Sequence, residues 1–470
     1  MLGLINNSGA LNAQHNLGRA SNKLNTSIER LSSGLKINRG ADGPAALVIS
    51  EKQRAQIAGL RAAIDNTDKA VAVVQTAEGA LTEINSLLNK IRSLAIDSAN
   101  SGVNDDDALS ANQAEIANAL DTIDRIANNT QFGEKRLLDG SAGVSGVSSD
   151  VDTTFMKASS STSPGSYAVN ITTVATRANA TAGTVQSAAL AADEILTVNG
   201  VSITLNAGLN AAGVRSRINE FSNQTGVVAE AGVGGATRLR TNSYGVAAKL
   251  DVISNTAAAA TSSGFGTTLI SQSGTNIAGT IGGNAATGLG NVLTGSAGAS
   301  KGVTVKLAED SANATQTVTG AQGTVTVTNQ ALVFQVGANK GQTVNIAIDS
   351  VASKGLGIAV ANNQFTDLSA IDVTSNSGAQ DAMAVVDAAI NEISNLRGTL
   401  GAFQGNTLES TANNMRSTLE NTVNAESVIR DTDFAEEISN FTNSQVLVQA
   451  GTSVLSNANQ SSQLILSLLR

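Results

Sequence analysis

The stretch Leu17-Gly-Arg-Ala-Ser-Asn-Lys-Leu24-Asn-Thr-Ser-Ile28-Glu-Arg-Leu31-Ser-Ser-Gly-Leu35 decides the fold. Leu17, Leu24 and Leu31 recur every seven residues, and Ile28 and Leu35 fill the three-four spacing between them. This spacing predicts one apolar seam along a helix. The seam has no partner nearby in the sequence, so it predicts a helix that packs on a distant part of the chain or on another copy.

The other end of the chain carries the matching pattern. Leu447, Val454 and Leu468 share a seven-residue register that Ser461 interrupts. Gly451, Ala458 and Ile465 form a second row, whose small members let another helix approach closely. Burial along a lone helix of this kind does not offset the entropy of ordering its backbone. We therefore expect both ends to be loose in an isolated monomer and helical when packed against neighbours.

Between the two ends the periodicity changes twice. A long helix is predicted from Pro44 to about Asn100, where Asp42 can cap and Pro44 suits the first turn. A third helix is predicted to end near Asn129. From Gly140 to about Asn329 the apolar period is two, which indicates strands. The helical period returns at Ala382. The core positions of these helices are predicted to be Ile57, Leu60, Val74, Leu81, Leu88, Ile393, Leu396 and Leu400.

Two hairpins stand out in the strand-like region. Leu196 and Val198 precede Asn199-Gly200, and Val201, Ile203 and Leu205 follow it, which predicts a type I′ turn. A second hairpin is predicted on either side of Gly337-Ala-Asn-Lys-Gly341. A short helix is predicted at Val214, Ile218 and Phe221, whereas the small-residue stretch 255–300 is interpreted as loops or irregular β structure.

The fold class that follows is α+β. We expect a long antiparallel helical bundle or coiled coil formed by both termini, with a β-rich outer domain inserted between them. Three segments are predicted. Residues 1–44 and 436–470 form an inner coiled-coil core, residues 45–140 and 330–435 form a helical outer core with a β-hairpin, and residues 141–329 form a β-rich, surface-exposed variable domain.

Composition limits the function. The net charge of −9 argues against nucleic-acid binding, and no uninterrupted apolar stretch is long enough to insert in a membrane. The chain has no Cys and a single His, His15, which leaves little material for a metal, cofactor or catalytic site. Asp105-Asp-Asp107 is interpreted as a solvated turn before a helix, not a cation site. The first residues lack the pattern of a Sec-type signal peptide.

Four motifs carry a resemblance to bacterial flagellin. They are Ser32-Ser-Gly-Leu-Lys-Ile-Asn38 followed by Ala46-Leu-Val-Ile-Ser50, then Gln131-Phe-Gly-Glu-Lys-Arg-Leu-Leu138, then Gln335-Val-Gly-Ala-Asn-Lys-Gly-Gln342, and Ala425-Glu-Ser-Val-Ile-Arg-Asp-Thr-Asp-Phe-Ala-Glu-Glu437. Together they cover about residues 1–140 and 330–470. The loop Gly40-Ala-Asp-Gly-Pro44 departs from the family's usual acidic pair followed by Ala-Ala-Gly.

The resemblance implies a structural protein with no catalysis. Such subunits are exported unfolded by the flagellar export apparatus, without a cleaved Sec signal, while a chaperone guards the C-terminal helix. They then polymerise outside the cell into a homopolymeric filament for swimming, in contact with hook-associated and cap proteins. Subunit contacts are expected at Leu17, Leu24, Ile28, Leu31, Leu447, Val454, Ala458, Ile465 and Leu468.

Alternatives remain open at this point. The terminal heptads are also typical of an ordinary intramolecular coiled coil. A second hypothesis within the same apparatus is a hook–filament junction or cap protein. A secreted adhesin would use residues 141–329, whose few aromatics offer little for a binding pocket. Lys90, Arg92, Leu94 and Glu115 match part of the patch that a Toll-like innate receptor recognises on flagellins, although an exposed helix face that packs on neighbours is the simpler interpretation.

Overall fold

The computed structural model describes residues 8–100, 102–159 and 162–468, and side chains up to residue 460. Helices dominate both ends of this range, as the apolar periodicity predicts. The helices are α1 (Ser8–Ser33), α2 (Pro44–Ser98), α3 (Asp106–Asn129), α4 (Ala211–Glu220), α5 (Ser222–Thr225), α6 (Asn376–Ala402), α7 (Ser410–Arg430) and α8 (Phe434–Leu468). The predicted start of α2 at Pro44 and the predicted end of α3 at Asn129 are confirmed.

The strands occupy the middle of the chain. They are β1 (Gln131–Phe132), β2 (Lys135–Arg136), β3 (Val144–Ser148), β4 (Thr153–Lys157), β5 (Gly165–Thr173), β6 (Asn179–Thr181), β7 (Glu194–Val198), β8 (Val201–Leu205), β9 (Val227–Ala231), β10 (Thr237–Thr241), β11 (Lys249–Ser254), β12 (Ile270–Ser273), β13 (Ala278–Ile281), β14 (Asn284–Leu289), β15 (Val292–Gly295), β16 (Thr304–Leu307), β17 (Glu309–Asp310), β18 (Asn313–Thr317), β19 (Gly320–Asn329), β20 (Leu332–Gln335) and β21 (Thr343–Ile346). The predicted α+β class, with helices at both ends and strands between them, is confirmed.

The described residues form two compact units. The first comprises the chain up to Asp68, Gln335–Thr343, and the chain from Leu408 onward. The second comprises Lys69–Phe334 and Val344–Thr407. The chain crosses between the units at four points: inside α2, inside β20, inside β21 and in the helical segment Phe403–Glu409. The predicted three-segment division is therefore not the division into compact units, and it stays a proposal.

In the first unit, α2 and α7 share a small apolar cluster. Leu60, Ala63 and Ile64 on α2 pack with Met415 on α7, and Leu419 covers the cluster. Ile57 is also buried. The tip of the β20–β21 hairpin lies against the same helix, where a Cβ atom added to Gly59 would be 3.0 Å from the Cβ of Ala338.

The loop before α2 is held by Asp42 in a way the sequence did not predict. The Asp42 carboxylate accepts hydrogen bonds from the backbone N–H groups of Asn38 and Arg39, at 3.1 and 2.8 Å. These two bonds lower the pKa of Asp42. The residue therefore closes the loop Asn38–Asp42 instead of capping α2.

In the second unit, the predicted core positions of α2 and α6 are buried. Val74, Leu81 and Leu88 on α2 are fully enclosed, and so are Ile393 and Leu400 on α6. Leu396 is only partly buried. Asp105 caps α3, because its carboxylate accepts the N–H of Ala108 at 2.9 Å. This confirms the interpretation of the acidic run as the start of a helix.

The largest sheet has eight strands in the order β3-β19-β5-β13-β14-β15-β16-β4. Its edge strands β3 and β4 come close together, because Gly146 leaves room for the ring of Phe155, 2.6 Å from where a Cβ atom would stand. The sheet thus curls around one apolar core that includes Val169, Ile171 and Val305. Alternating burial along β5 confirms the predicted period of two.

A second core lies among two smaller sheets and α4. The sheets have the orders β12-β11-β7-β8 and β6-β10-β9, and Leu196, Ile203, Val214 and Ile218 are fully buried between them. The predicted Asn-Gly turn joins β7 to β8, with φ of 49° at Asn199 and 85° at Gly200. Both the hairpin and the short helix α4 are as predicted.

The stretch 255–300, predicted as loops or irregular β structure, contributes the regularly paired strands β12, β13, β14 and β15. Two glycines in these strands occupy positions where the backbones pack too closely for a side chain. A Cβ atom at Gly279 would be 2.3 Å from the carbonyl oxygen of Asn170, and one at Gly288 would be 1.6 Å from that of Ile277.

Candidate functional site

The terminal helices α1 and α8 pack against each other in antiparallel fashion. Near one end, the Arg30 Nη1 lies 3.5 Å from the Glu437 Oε2. Near the other, a Cβ atom at Gly451 would be 3.2 Å from the Cδ1 of Leu17. The contacts run in opposite directions along the two helices, so the ends of the chain form the antiparallel pair that the sequence predicts.

Small residues on a heptad seam bring the two helices close. On α1 the three buried residues are Ala13, Ala20 and Ser27, and Leu17, Leu24 and Leu31 alternate with them and are partly buried. The facing positions on α8 follow the same four-three spacing. They are Glu437, Phe441, Ser444, Val448, Gly451, Leu455 and Ala458. The small members of the two rows, which are Ala13, Ala20 and Ser27 on α1 and Ser444, Gly451 and Ala458 on α8, allow the helix axes to approach to the short end of the usual 8–10 Å range.

The residues predicted for subunit contacts fall into three groups. Leu17, Leu24, Leu31 and Ala458 lie on the seam within one chain. Ile28, Leu447 and Val454 lie outside it and are 48%, 49% and 56% exposed. The side chains of Ile465 and Leu468 lie outside the described residues. Leu447 and Val454 therefore do not face α1; the row led by Gly451 takes that place.

Other large apolar side chains on these helices are also exposed. Leu11 is 60% exposed on α1, and Phe434, Ile438 and Val446 are each more than half exposed on α8. Isolated exposed apolar residues are normal on a protein surface, but a contiguous set marks an interaction site. The pairing of α1 with α8 satisfies only one face of each helix.

The segment Asp431-Thr-Asp433 sets the start of α8. The Asp433 carboxylate accepts the N–H of Ala435 at 2.8 Å, which caps the helix. The preceding residues pair with the loop after α1, where Thr432 N–H donates to the Gly34 carbonyl at 3.0 Å and Lys36 N–H donates to the Arg430 carbonyl at 2.7 Å. The two terminal helices are thus joined at one end by backbone hydrogen bonds.

The predicted receptor residues lie on two flanks of α2. Lys90 pairs with Glu115 of α3 at 2.6 Å, and Leu94 is one turn further along the same flank. Arg92 lies on the other flank and pairs with Asp387 of α6 at 2.6 Å. That hydrogen bond raises the pKa of Arg92. The structure therefore brings together Lys90, Leu94 and Glu115, but not Arg92.

Across residues 8–100, 102–159 and 162–468, no three His, Asp or Glu side chains converge as metal ligands would. No described helix combines the length and the apolar character needed to cross a membrane.

Two family models match the helical ends of the chain. The bacterial flagellin N-terminal helical region matches residues 5–143, and the bacterial flagellin C-terminal helical region matches residues 383–469. Among solved structures, a Burkholderia pseudomallei FliC is 19% identical, with coverage of 71% of this chain and 98% of that one and a TM-score of 0.24. A likeness that low adds nothing to the argument.

Curated relatives align with nearly the whole chain. The B-type flagellin of Pseudomonas aeruginosa is 34% identical over 527 residues, covering 99% of each chain. The flagellin of Salmonella typhimurium is 31% identical over 503 residues, again covering 99% of each. Flagellin A of Vibrio cholerae is 30% identical, covering 99% of this chain and 98% of the relative. The chain therefore belongs to the bacterial flagellins, the structural subunits of the flagellar filament.

Proposed function

We propose that subunits join through the apolar side chains that the α1–α8 pairing leaves exposed. Ile28, Leu447 and Val454 would pack on the terminal helices of neighbouring copies, and the seam of Leu17, Leu24, Leu31 and Ala458 would hold each chain's own helix pair. Ile465 and Leu468 would extend the contact. The observation that carries this proposal is the exposure of Leu447 and Val454 on a helix whose other face is already occupied.

Each helix uses one face for its partner within the chain and a different face for a neighbouring copy. Contacts between such different faces of two copies would be heterologous. Heterologous contacts that do not close into a ring generate helical polymers. The inner core would comprise residues 1–44 and 436–470, the outer core residues 45–140 and 330–435, and the projecting domain residues 141–329.

A charge at Val454 tests the proposal. Val454→Asp should prevent seeded polymerisation of purified subunits, observed by electron microscopy, and leave the circular dichroism of the monomer unchanged. Ser456→Asp is the matched control, since it adds the same charge on the opposite flank of α8. Leu24→Asp should also block polymerisation, but through the α1–α8 seam, with a change in the helical signal. Normal filaments from Val454→Asp would overturn the assignment.

We infer that export of this chain follows the family's route. The absence of cysteine suits threading through a narrow channel, because no disulfide can form on the way. A chaperone that covers α8 in the cell would shield Phe434, Ile438 and Val446. Co-purification of a small partner with full-length cytoplasmic protein, lost from a chain that ends at residue 433, would support this. An intact-mass measurement on sheared filaments would reveal any cleaved leader.

Recognition by a Toll-like innate receptor is a further proposal from the resemblance. Lys90, Leu94 and Glu115 share one flank of the α2–α3 surface and would form the contact. Glu115→Ala should weaken activation of receptor-expressing reporter cells by purified monomer. Asp387→Ala removes the partner of Arg92 on the other flank of α2, so it should change activation only by freeing Arg92. Failure of the unmodified monomer to activate those cells would remove the proposal.

A further inference from the structure

A cleft of about 530 Å³ lies within the second compact unit. Its walls come from the loop after β10, from the residues between β16 and β17, and from residues 364–378 that lead into α6. The volume falls in the range of pockets that bind small molecules. Nothing in the assembly of α1 and α8 uses this cleft, because none of its lining residues belongs to those helices.

Three of the four charged residues that line the cleft have partners of opposite charge, and the fourth, Asp372, accepts hydrogen bonds from the backbone N–H and the hydroxyl of Thr374 at 2.8 and 2.6 Å. The Arg177 guanidinium lies 2.7 Å from the Glu309 carboxylate, and the Lys306 ammonium lies 3.3 Å from the buried carboxylate of Asp367. Arg177 also lies over the Tyr244 ring, 4.4 Å from its centroid. An anionic ligand would have to compete with these pairs, so the cleft favours an uncharged one.

The uncharged polar groups, in contrast, are available. Asn223 and Asn242 both line the cleft and are exposed, and their side-chain amides form no hydrogen bond with any described residue. Asn291 is buried, with a relative exposure of 6%. Its Nδ2 donates to the Leu307 carbonyl at 2.8 Å, but its Oδ1 has no partner in the described part of the chain.

Two aromatic rings complete the lining. Tyr244 and Phe365 border the cleft, and each is only partly buried. Aromatic residues make up 2% of this chain, so two in one cleft are a concentration. Rings beside amides offer an apolar surface together with both hydrogen-bond donors and acceptors.

We propose that this cleft binds a neutral saccharide. Each sugar hydroxyl both donates and accepts, which matches the carboxamides of Asn223 and Asn242, and the C–H face of a sugar ring packs on an aromatic ring. The ion pairs of Arg177 and Lys306 leave no lining cation free for an acidic sugar, and the Asp372 carboxylate would repel one. Because Arg177 already covers one face of Tyr244, binding relies mainly on two free amides and the Phe365 ring and is weak at one site. A filament repeats the cleft in every subunit, and linked copies bind a glycan-coated surface with high avidity.

The test uses purified full-length monomer on an array of immobilised neutral, sialylated and sulfated oligosaccharides. We expect capture by neutral glycans. The best neutral glycan is then titrated in solution by saturation-transfer NMR against three proteins: the unmodified chain, the double variant Asn223→Ala/Asn242→Ala, and Phe132→Ala, which removes a partly exposed aromatic ring outside the cleft.

The double variant should lose about tenfold or more in affinity, the effect of two hydrogen bonds of ordinary strength. Phe132→Ala should bind like the unmodified chain. Because both asparagines are exposed and unbonded, the double variant should keep the unmodified circular dichroism. No capture by neutral glycans, capture by anionic glycans alone, or unchanged affinity in a folded double variant would each overturn the proposal.

Discussion

Gly59 and Gly79 both lie inside α2, but a Cβ atom meets different surroundings at the two positions. At Gly79 nothing lies within 4 Å, whereas at Gly59 the Cβ of Ala338 is 3.0 Å away. Alanine in a helix interior is favoured over glycine by roughly 0.5–1 kcal/mol. We therefore expect Gly79→Ala to raise the free energy of unfolding by about that amount, as measured by urea titration of the signal at 222 nm.

The free energy of unfolding should rise less for Gly59→Ala than for Gly79→Ala, by about 1 kcal/mol, because the hairpin tip must move away from α2. The pair of variants separates helix propensity from packing, since both change the same residue type in the same helix. An equal gain in both would show that the contact with Ala338 costs nothing to displace.

The Tyr244 hydroxyl gives a second prediction at this scale. Burial raises the pKa of Tyr244 from 10.0 to about 12. The nearby Arg177 opposes the shift, whereas Glu309, which accepts a hydrogen bond from the Tyr244 hydroxyl at an oxygen–oxygen distance of 3.2 Å, adds to it. Between pH 10 and 12 the unfolded chain loses this proton first, so stability falls as the pH rises through that window. Below pH 10 the effect is absent.

Ultraviolet titration of the phenolate checks this shift. The chain has two tyrosines, so subtracting the Tyr244→Phe curve from that of the unmodified protein isolates one group. We expect the difference to show a midpoint near pH 12 in the native protein and near pH 10 in denaturant. A native midpoint near 10 would contradict the buried placement of the ring.

At the scale of elements, the segment between α6 and α7 is where the apolar pattern and the backbone disagree. Buried residues on α6 follow four-three spacing through Ala389, Ile393 and Leu400. The pattern resumes at Leu408, just before α7, and continues at Ala412 and Met415 on α7, one residue later than that spacing requires. The backbone absorbs the extra residue in a π-helical turn at Phe403–Glu409. Such turns are known to interrupt α-helices in this way.

Deletion of Gly405 should therefore destabilise the protein although it restores a regular helix. Removing one residue rotates Leu408 and Met415 by about 100° away from the buried face, with an expected loss of roughly 2–5 kcal/mol per large residue exposed. The measurement is thermal unfolding by circular dichroism. Gly405→Ala is the control, because no atom lies within 4 Å of its Cβ position. A deletion variant as stable as the control would refute a register role for the turn.

Elements with a strong local pattern were predictable from sequence. The β7–β8 hairpin follows from Asn199-Gly200, and the limits of α2 follow from Pro44 and a long heptad pattern. The regular pairing of β13 with β14 was not predictable, because Gly279 and Gly288 stand where the backbones approach closely and interrupt the apolar period. The π-helical turn was missed because a single inserted residue barely alters a four-three count.

The sites divide in the same way. The heptads located the terminal helices but not the flank that faces the partner, because two neighbouring rows on α8 carry the same seven-residue spacing. The row that contains Gly451 faces α1, because Gly451 lets Leu17 approach closely. This contact depends on three-dimensional packing. The cleft around Tyr244 was not predictable, because Asn223, Asn242, Asn291 and Phe365 come from separate segments.

Considered as a whole molecule, the chain distributes its apolar burial unevenly. The β-rich region has fully enclosed large side chains such as Leu196, Ile203 and Val305. The α1–α8 pair buries mostly Ala and Ser, and its leucines are only partly covered. Burial of apolar area is the main source of stability, so the terminal pair contributes least in an isolated subunit. Neighbouring subunits in the filament would supply the missing burial of apolar area.

Hydrogen exchange on the monomer and on the filament tests this distribution. In the monomer, amides of α1 and α8 should exchange many orders of magnitude faster than those of β7 and β8, because local opening of a thinly packed helix pair costs little free energy. In the filament the same helices should become protected, while β7 and β8 change little and serve as the internal reference. Exchange that is equally slow in α1 and α8 before and after polymerisation would mean that the pair is stable by itself, and that its exposed side chains do not depend on neighbouring subunits.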